Sequence, residues 1–156
     1  MPVLDRLNGV TEVYEANNRR PVAEKRLIEL RPIRGINLRI PVFRFAPNPI
    51  RPGATLKFNG SVVNDGPEHS GPFWIEFWGS QAGRIPTTEF LLCDSIFIEN
   101  LRPGQQVFLL PYQRMVHWNV PIGDCTIVCI VDRPDNISEY DESDNFQIVT
   151  GVKIMP

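Results

Sequence analysis

The sequence has no apolar run near the roughly 18 residues that a membrane-spanning helix needs, so membrane insertion is not expected. It also has little excess charge: 16 Lys and Arg stand against 18 Asp and Glu, a net charge of -2. That balance supplies no long-range field to attract nucleic acid or an anionic lipid surface. Only two histidines are present, His69 and His117, and neither is accompanied by a serine or cysteine in a recognisable catalytic motif. No glycine-rich phosphate loop occurs. The expectation is a chain that is not an enzyme and has no cofactor. The start, Met1-Pro2-Val3-Leu4-Asp5-Arg6, lacks the basic segment and apolar stretch of a signal peptide.

Cysteine is scarce. Cys93, Cys125 and Cys129 cannot all pair with one another. Cys125 and Cys129 lie four apart in an apolar run, on one face of a strand, too far apart for a disulfide. They read as small buried hydrophobes. A Cys93–Cys125 or Cys93–Cys129 bridge stays open, with nothing in the sequence to support it. Zinc is not expected, because C-x-x-C spacing is missing.

What the chain does have is punctuation: 15 Pro and 11 Gly separate short runs rich in β-branched and aromatic residues. That pattern predicts an all-β domain. Ala23–Leu30, confined by Pro21 and Pro32, is the one candidate for a short helix. Strands are predicted at Ile36–Phe45, Ala54–Val63, Gly71–Gly79, Glu89–Ile98, Gln105–Leu110 and Asp124–Asp132, with a seventh inside Ile137–Ile154. Pro111–Gly123 reads as a loop. Leu56, Phe58 and Val62 alternate with polar residues, as a strand with one wet face does. Cys125, Ile127, Cys129 and Val131 are the expected inner face of the sixth strand. In the third, Phe73, Ile75 and Phe77 share one face, and Trp74, Glu76 and Trp78 the other. Glu76 suggests that the second face is not core. Seven antiparallel strands in about 115 residues fit an immunoglobulin-like two-sheet β-sandwich.

Several pieces form an ordered pattern. Ser61-Val62-Val63-Asn64-Asp65-Gly66 is followed by Leu101-Arg102-Pro103-Gly104, then by Ile130-Val131-Asp132, and finally by Asn136-Ile137-Ser138-Glu139-Tyr140-Asp141-Glu142-Ser143-Asp144-Asn145. This order resembles the CARDB family, the cell-adhesion-related domain found in bacteria, over about residues 35–150. Asp144 departs mildly from the first Asn of that family's closing pair. The resemblance implies a seven-stranded immunoglobulin-like sandwich without catalytic residues. Such domains occur in surface and secreted proteins, often in tandem, so an extracellular or cell-surface location is expected.

Val3–Asn18 aligns without a gap on Ile130–Asn145, at an offset of 127 (132 minus 5). Asp5/Asp132, Arg6/Arg133, Glu12/Glu139, Glu15/Glu142 and Asn18/Asn145 are identical. Repeats at fixed spacing mark arrays. Residues 1–18 therefore read as the end of a preceding repeat, 19–34 as a linker and 35–154 as the sandwich domain, which makes the chain an excerpt of a longer protein. A strand fragment with Val10, Glu12 and Tyr14 cannot bury its own apolar face. Edge pairing of this segment, or a homodimer through it, is expected, beside contacts with neighbouring domains.

Two candidate sites follow. Trp74, Glu76, Trp78 and Trp118, with Tyr112, suggest an aromatic interaction surface for a protein or glycan ligand; rings that merely cover core edges are the competing reading. The acidic run Asp132, Asp135, Glu139, Glu142 and Asp144 suggests calcium, although its spacing is not that of an EF-hand. The competing reading is a hairpin whose short polar side chains satisfy backbone groups. Two functions compete in turn: an adhesion, interaction or spacer module of a larger surface protein, and a carbohydrate-binding accessory domain of an extracellular enzyme.

Overall fold

The computed structural model of the chain describes residues 35–83 and 87–156. The candidate helix Ala23–Leu30, the repeat remnant 1–18 and the linker 19–34 lie outside them. Nine strands are present among the described residues: β1 (Leu38–Ala46), β2 (Thr55–Asn64), β3 (Phe73–Gln81), β4 (Phe90–Leu91), β5 (Ile96–Ile98), β6 (Gln106–Phe108), β7 (Gln113–Met115), β8 (Gly123–Val131) and β9 (Phe146–Ile154). One sheet runs β9-β8-β3-β4, with β5 also on β3; the other runs β1-β2-β6, with β7 also on β2. Every strand pairing is antiparallel. The result is the expected two-sheet sandwich.

The count of seven strands becomes nine because two strands are interrupted. Trp78 faces Leu91 and Ile75 faces Ile96, so a step of three on β3 opposes a step of five. Across that gap Cys93 leaves β3 and bridges Val116. Two extra residues preserve the alternation, and Ile96 and Ile98 still point inward. On β2, Ser61 faces Phe108 and Lys57 faces Gln113, a step of four against five. One extra residue reverses the alternation. Leu109 is buried before the break and Val116 after it. A period-2 reading of Pro111–Gly123 therefore finds no strand, although β7 lies there.

Facing side chains build the core. Phe58 of β2 stacks on Phe77 of β3 with centroids 4.3 Å apart and planes 6° from parallel. Phe43 of β1 packs against both, at 5.9 and 5.7 Å. Leu56, Phe58 and Val62 are buried, as are Phe73, Ile75 and Phe77 and the inner face of β8. All three cysteines are free and buried. Burial pushes the Cys93 thiol up to about 12 and the Cys125 thiol up to about 11.

One end of the sandwich is closed by a buried asparagine. The Asn64 amide donates to the carbonyls of Glu68 (2.7 Å) and Leu101 (2.9 Å). Its Oδ1 accepts from Gly66 N (3.0 Å) and Asn37 N (3.4 Å). Gly66 sits where a Cβ would lie 2.4 Å from the carbonyl oxygen of Gly35, so no larger residue fits. The Asn and Gly of the sequence pattern thus hold loops together.

Two outcomes test this account. Asn64→Ala strands buried donors and acceptors and is expected to cost about 3 kcal/mol in urea unfolding. None of the three thiols is expected to react with Ellman's reagent at pH 8 in the folded chain, while all three react in denaturant.

Candidate functional site

Trp74, Glu76 and Trp78 lie on the outer face of β3, as their alternation requires. The register carries that face across the sheet. Trp78 is opposite Val128 and Glu76 opposite Ile130; Val128 is opposite Ile148 and Ile130 opposite Phe146. Trp74 is opposite Phe97 on β5, their centroids 4.9 Å apart. Apolar side chains from four adjacent strands therefore line up on one surface. Trp74 is 46% exposed, Phe97 50%, Phe146 41% and Ile148 42%. Val128, Ile130, Phe146 and Ile148, with Thr87 and Thr88, line an open pocket there.

A charged pair interrupts this surface. Glu76 accepts hydrogen bonds from Trp78 Nε1 and Arg133 Nε, both at 2.7 Å. The Arg133 guanidinium lies 4.6 Å from the Trp78 ring centroid. Trp78 is thus roofed and its N–H satisfied, whereas Trp74 is open. Trp118 does not join them: its ring rests on Gly53, in the turn between β1 and β2 of the other sheet. Tyr112 has Arg114 over its ring, 5.9 Å from the centroid. The sequence offered no sign of Phe97, Phe146, Ile148 or Arg133 as members of the Trp74 surface. Their membership follows from strand register.

The acidic run is divided among several tasks. Asp132 is buried in a left-handed conformation (φ 47°). Its carboxylate accepts from Asn136 N (3.3 Å) and Ile137 N (2.7 Å), closing the turn after β8. Asp135 (φ 58°) is exposed. Glu139 Oε2 accepts from Leu38 N at 2.5 Å, which ties the closing hairpin to the start of β1. Asn145 Nδ2 donates to Glu139 Oε1 (2.5 Å) and Glu142 Oε2 (2.8 Å). Asp144 Oδ2 accepts from Asn37 Nδ2 at 3.3 Å. Among the described residues, no three carboxylate, imidazole or thiol groups are placed to share one metal ion.

Burial raises the Glu139 carboxyl to about 7, and the facing Glu142 carboxylate adds to the rise; hydrogen bonds from Asn145 and Leu38 oppose it. The folded chain therefore holds this proton more tightly than the unfolded chain, whose value is 4.5. The associated stability is complete below about 4.5 and is lost as pH rises through about 7. The difference in unfolding free energy between the native chain and Glu139→Gln should consequently change across that window and be flat above it. A difference that is flat throughout the window would contradict the assignment.

No family model and no curated protein sequence matches the chain. Solved structures do. One is the CARDB domain of the PF1109 protein from Pyrococcus furiosus, in complex with di-metal ions; TM-score 0.55, 13% identity, covering 80% of this chain and 93% of that one. Another is a domain of a candidate cell surface protein from Methanosarcina acetivorans; TM-score 0.50, 17% identity, covering 79% and 93%. The fold is that of a CARDB-like, immunoglobulin-like sandwich.

Proposed function

We propose that this chain is a non-catalytic interaction module of a larger surface or secreted protein, and that it binds a protein partner through the outer face of its five-stranded sheet. The observation that carries the reading is the group of exposed apolar side chains on that one face, Phe146, Ile148, Trp74 and Phe97, with half-buried Ile130 among them. Exposed apolar groups gathered on one face in this way mark interaction sites. The Glu76–Arg133 pair gives it a polar feature that fixes orientation. The likeness to a domain of a candidate cell surface protein supports the location, outside the cell. Adhesion between cells, or packing against a neighbouring domain of the same protein, are the roles in keeping with it.

A carbohydrate-binding accessory role for an extracellular enzyme is the second reading, favoured by the exposed Trp74 ring. Sugars, however, need aromatic faces with polar groups beside them. Here the neighbours on β8 and β9 are the apolar Val128, Ile130, Phe146 and Ile148, and the Trp78 ring is already covered by Arg133. That composition suits a protein surface better.

The test compares binding to an extracellular protein fraction with binding to a glycan array. Ile148→Lys and Phe146→Lys, both exposed and outside the core, should leave the melting temperature near that of the native chain. Each should weaken protein binding by at least about tenfold, as a charge placed in an apolar contact does. Glycan binding that is lost in Trp74→Ala, with protein binding unaffected by either lysine, would establish the second reading instead.

A further inference from the structure

Backbone hydrogen bonds fix which groups of β6 point away from its sheet. Asn64 N donates to the Gln105 carbonyl and Leu109 N to the Gly60 carbonyl, and Val62 stands opposite Val107 between them. Residues 105, 107 and 109 therefore turn their polar backbone groups toward β2, and Gln106 and Phe108 turn theirs away. Among the described residues, no hydrogen bond reaches the N–H or C=O of either. The side chains there are open as well: Phe108 is 59% exposed and Leu110 65%, both more than Trp74.

Much of the remaining sheet edge is covered. β1 lies along β9, with Ile40 N donating to the Asp144 carbonyl, Gln147 Nε2 to the Ile40 carbonyl and Ile50 N to the Lys153 carbonyl. Asn48 caps the outward groups of Gly151 and Lys153. Across the sandwich, β7 is tied to the segment after β4: His117 N donates to the Leu92 carbonyl, and Cys93 bridges Val116. The Arg114 guanidinium reaches the Ser95 carbonyl just before β5. β6 has no such cover among the described residues.

Only an extended chain matches alternate N–H and C=O groups at strand spacing. The composition of the edge indicates which chain. From Gly104 to Tyr112 no residue is charged, whereas exposed edges are ordinarily guarded by Lys or other charges. In an antiparallel pair about a two-fold axis, a segment meets its own copy, so a charge of either sign would be repelled. An uncharged segment with Phe108 at its centre is complementary to itself.

We propose that two copies of this chain associate by antiparallel pairing of β6 with β6 of the second copy, about a two-fold axis beside Phe108. The N–H and C=O of Phe108 then bond to the second copy's strand, the two Phe108 rings meet on the outer face, and the two four-stranded sheets become one. The pairing occupies both edges and so closes at two copies rather than growing into a fibre. It leaves the outer face of each five-stranded sheet open. The dimer therefore presents that surface twice, which strengthens attachment to any partner that is itself multivalent.

The test is sedimentation equilibrium of the whole chain. The mean mass should rise from monomer toward dimer between about 5 and 500 µM, the weak range of a small interface. Gln106→Pro removes an outward N–H, keeps Phe108 and Leu110, and breaks no bond to β2. Phe108→Lys brings like charges together at the axis. Each should weaken association at least about tenfold, with the melting temperature of the dilute chain near native. Phe146→Lys and Glu12→Pro should associate as the native chain does. Amide exchange should slow on concentration at Phe108 but not at Val107, which already faces β2. A chain that stays monomeric at about 500 µM would overturn the proposal. So would association undiminished in Gln106→Pro, or exchange at Phe108 indifferent to concentration. Loss in Phe146→Lys alone would make the five-stranded face the contact instead, and loss in Glu12→Pro alone the amino-terminal segment; either result also overturns pairing through β6.

Discussion

The start of β1 must be held while its backbone is buried against two sheets, and this constraint organises one end of the molecule. Buried N–H and C=O groups have to find partners. β1 first meets β2 at Leu38, opposite Asn64, so residues 36–38 lie where the strand enters the sandwich. Side chains and backbone groups of the adjoining segments hold them together. Asn64 receives the N–H of Asn37 and Glu139 receives that of Leu38. The Ile36 carbonyl takes the N–H of Tyr140, and the Asn37 carbonyl that of Asp65. The entering strand is thus gripped between the turn after β2 and the hairpin before β9. Removing either polar anchor leaves buried backbone without a partner, which costs more than the lost bond itself.

These anchors are the residues that stood out in the sequence. Asn64, Gly66, Asp132, Glu139 and Asn145 carried the family resemblance, and the structure gives each a backbone or hydrogen-bonding task. The resemblance therefore made the fold legible while saying little about ligands. The inner faces were legible for a different reason. Alternation in β2, β3 and β8 is uninterrupted, so Phe58, Phe77 and Cys129 could be placed inward from periodicity alone. Periodicity misleads where a strand carries an extra residue. The break between Leu109 and Gln113 reverses the faces, and no local pattern announces it.

The outer surface was half legible. Trp74, Glu76 and Trp78 share a face by spacing, whatever they pair with. Phe146 and Ile148 join them only because β9 pairs with β8 in one register and β8 with β3 in another. Phe97 depends on the two-residue interruption before β5. Such long-range pairings are tertiary facts. Trp118 shows the converse: an aromatic residue suggested membership, but the chain carries it to Gly53 on the opposite sheet.

The structural hairpin and the exposed face are nevertheless joined by one turn. β8 ends at Val131, and Asp132 follows in a left-handed conformation while donating its N–H to the Trp74 carbonyl at 3.1 Å. The Asp132 carboxylate pins the turn from the other side through Ile137. That geometry directs the next residue, Arg133, back over Trp78 and onto Glu76. An arginine on a free loop would lose more rotamer freedom on pairing than an exposed ion pair returns. Here the backbone is fixed beforehand, and the Glu76 side chain is only 12% exposed, so the pair is more strongly coupled than one in open water. The residues that satisfy buried backbone thus also determine which tryptophan is covered and which is left open to a partner.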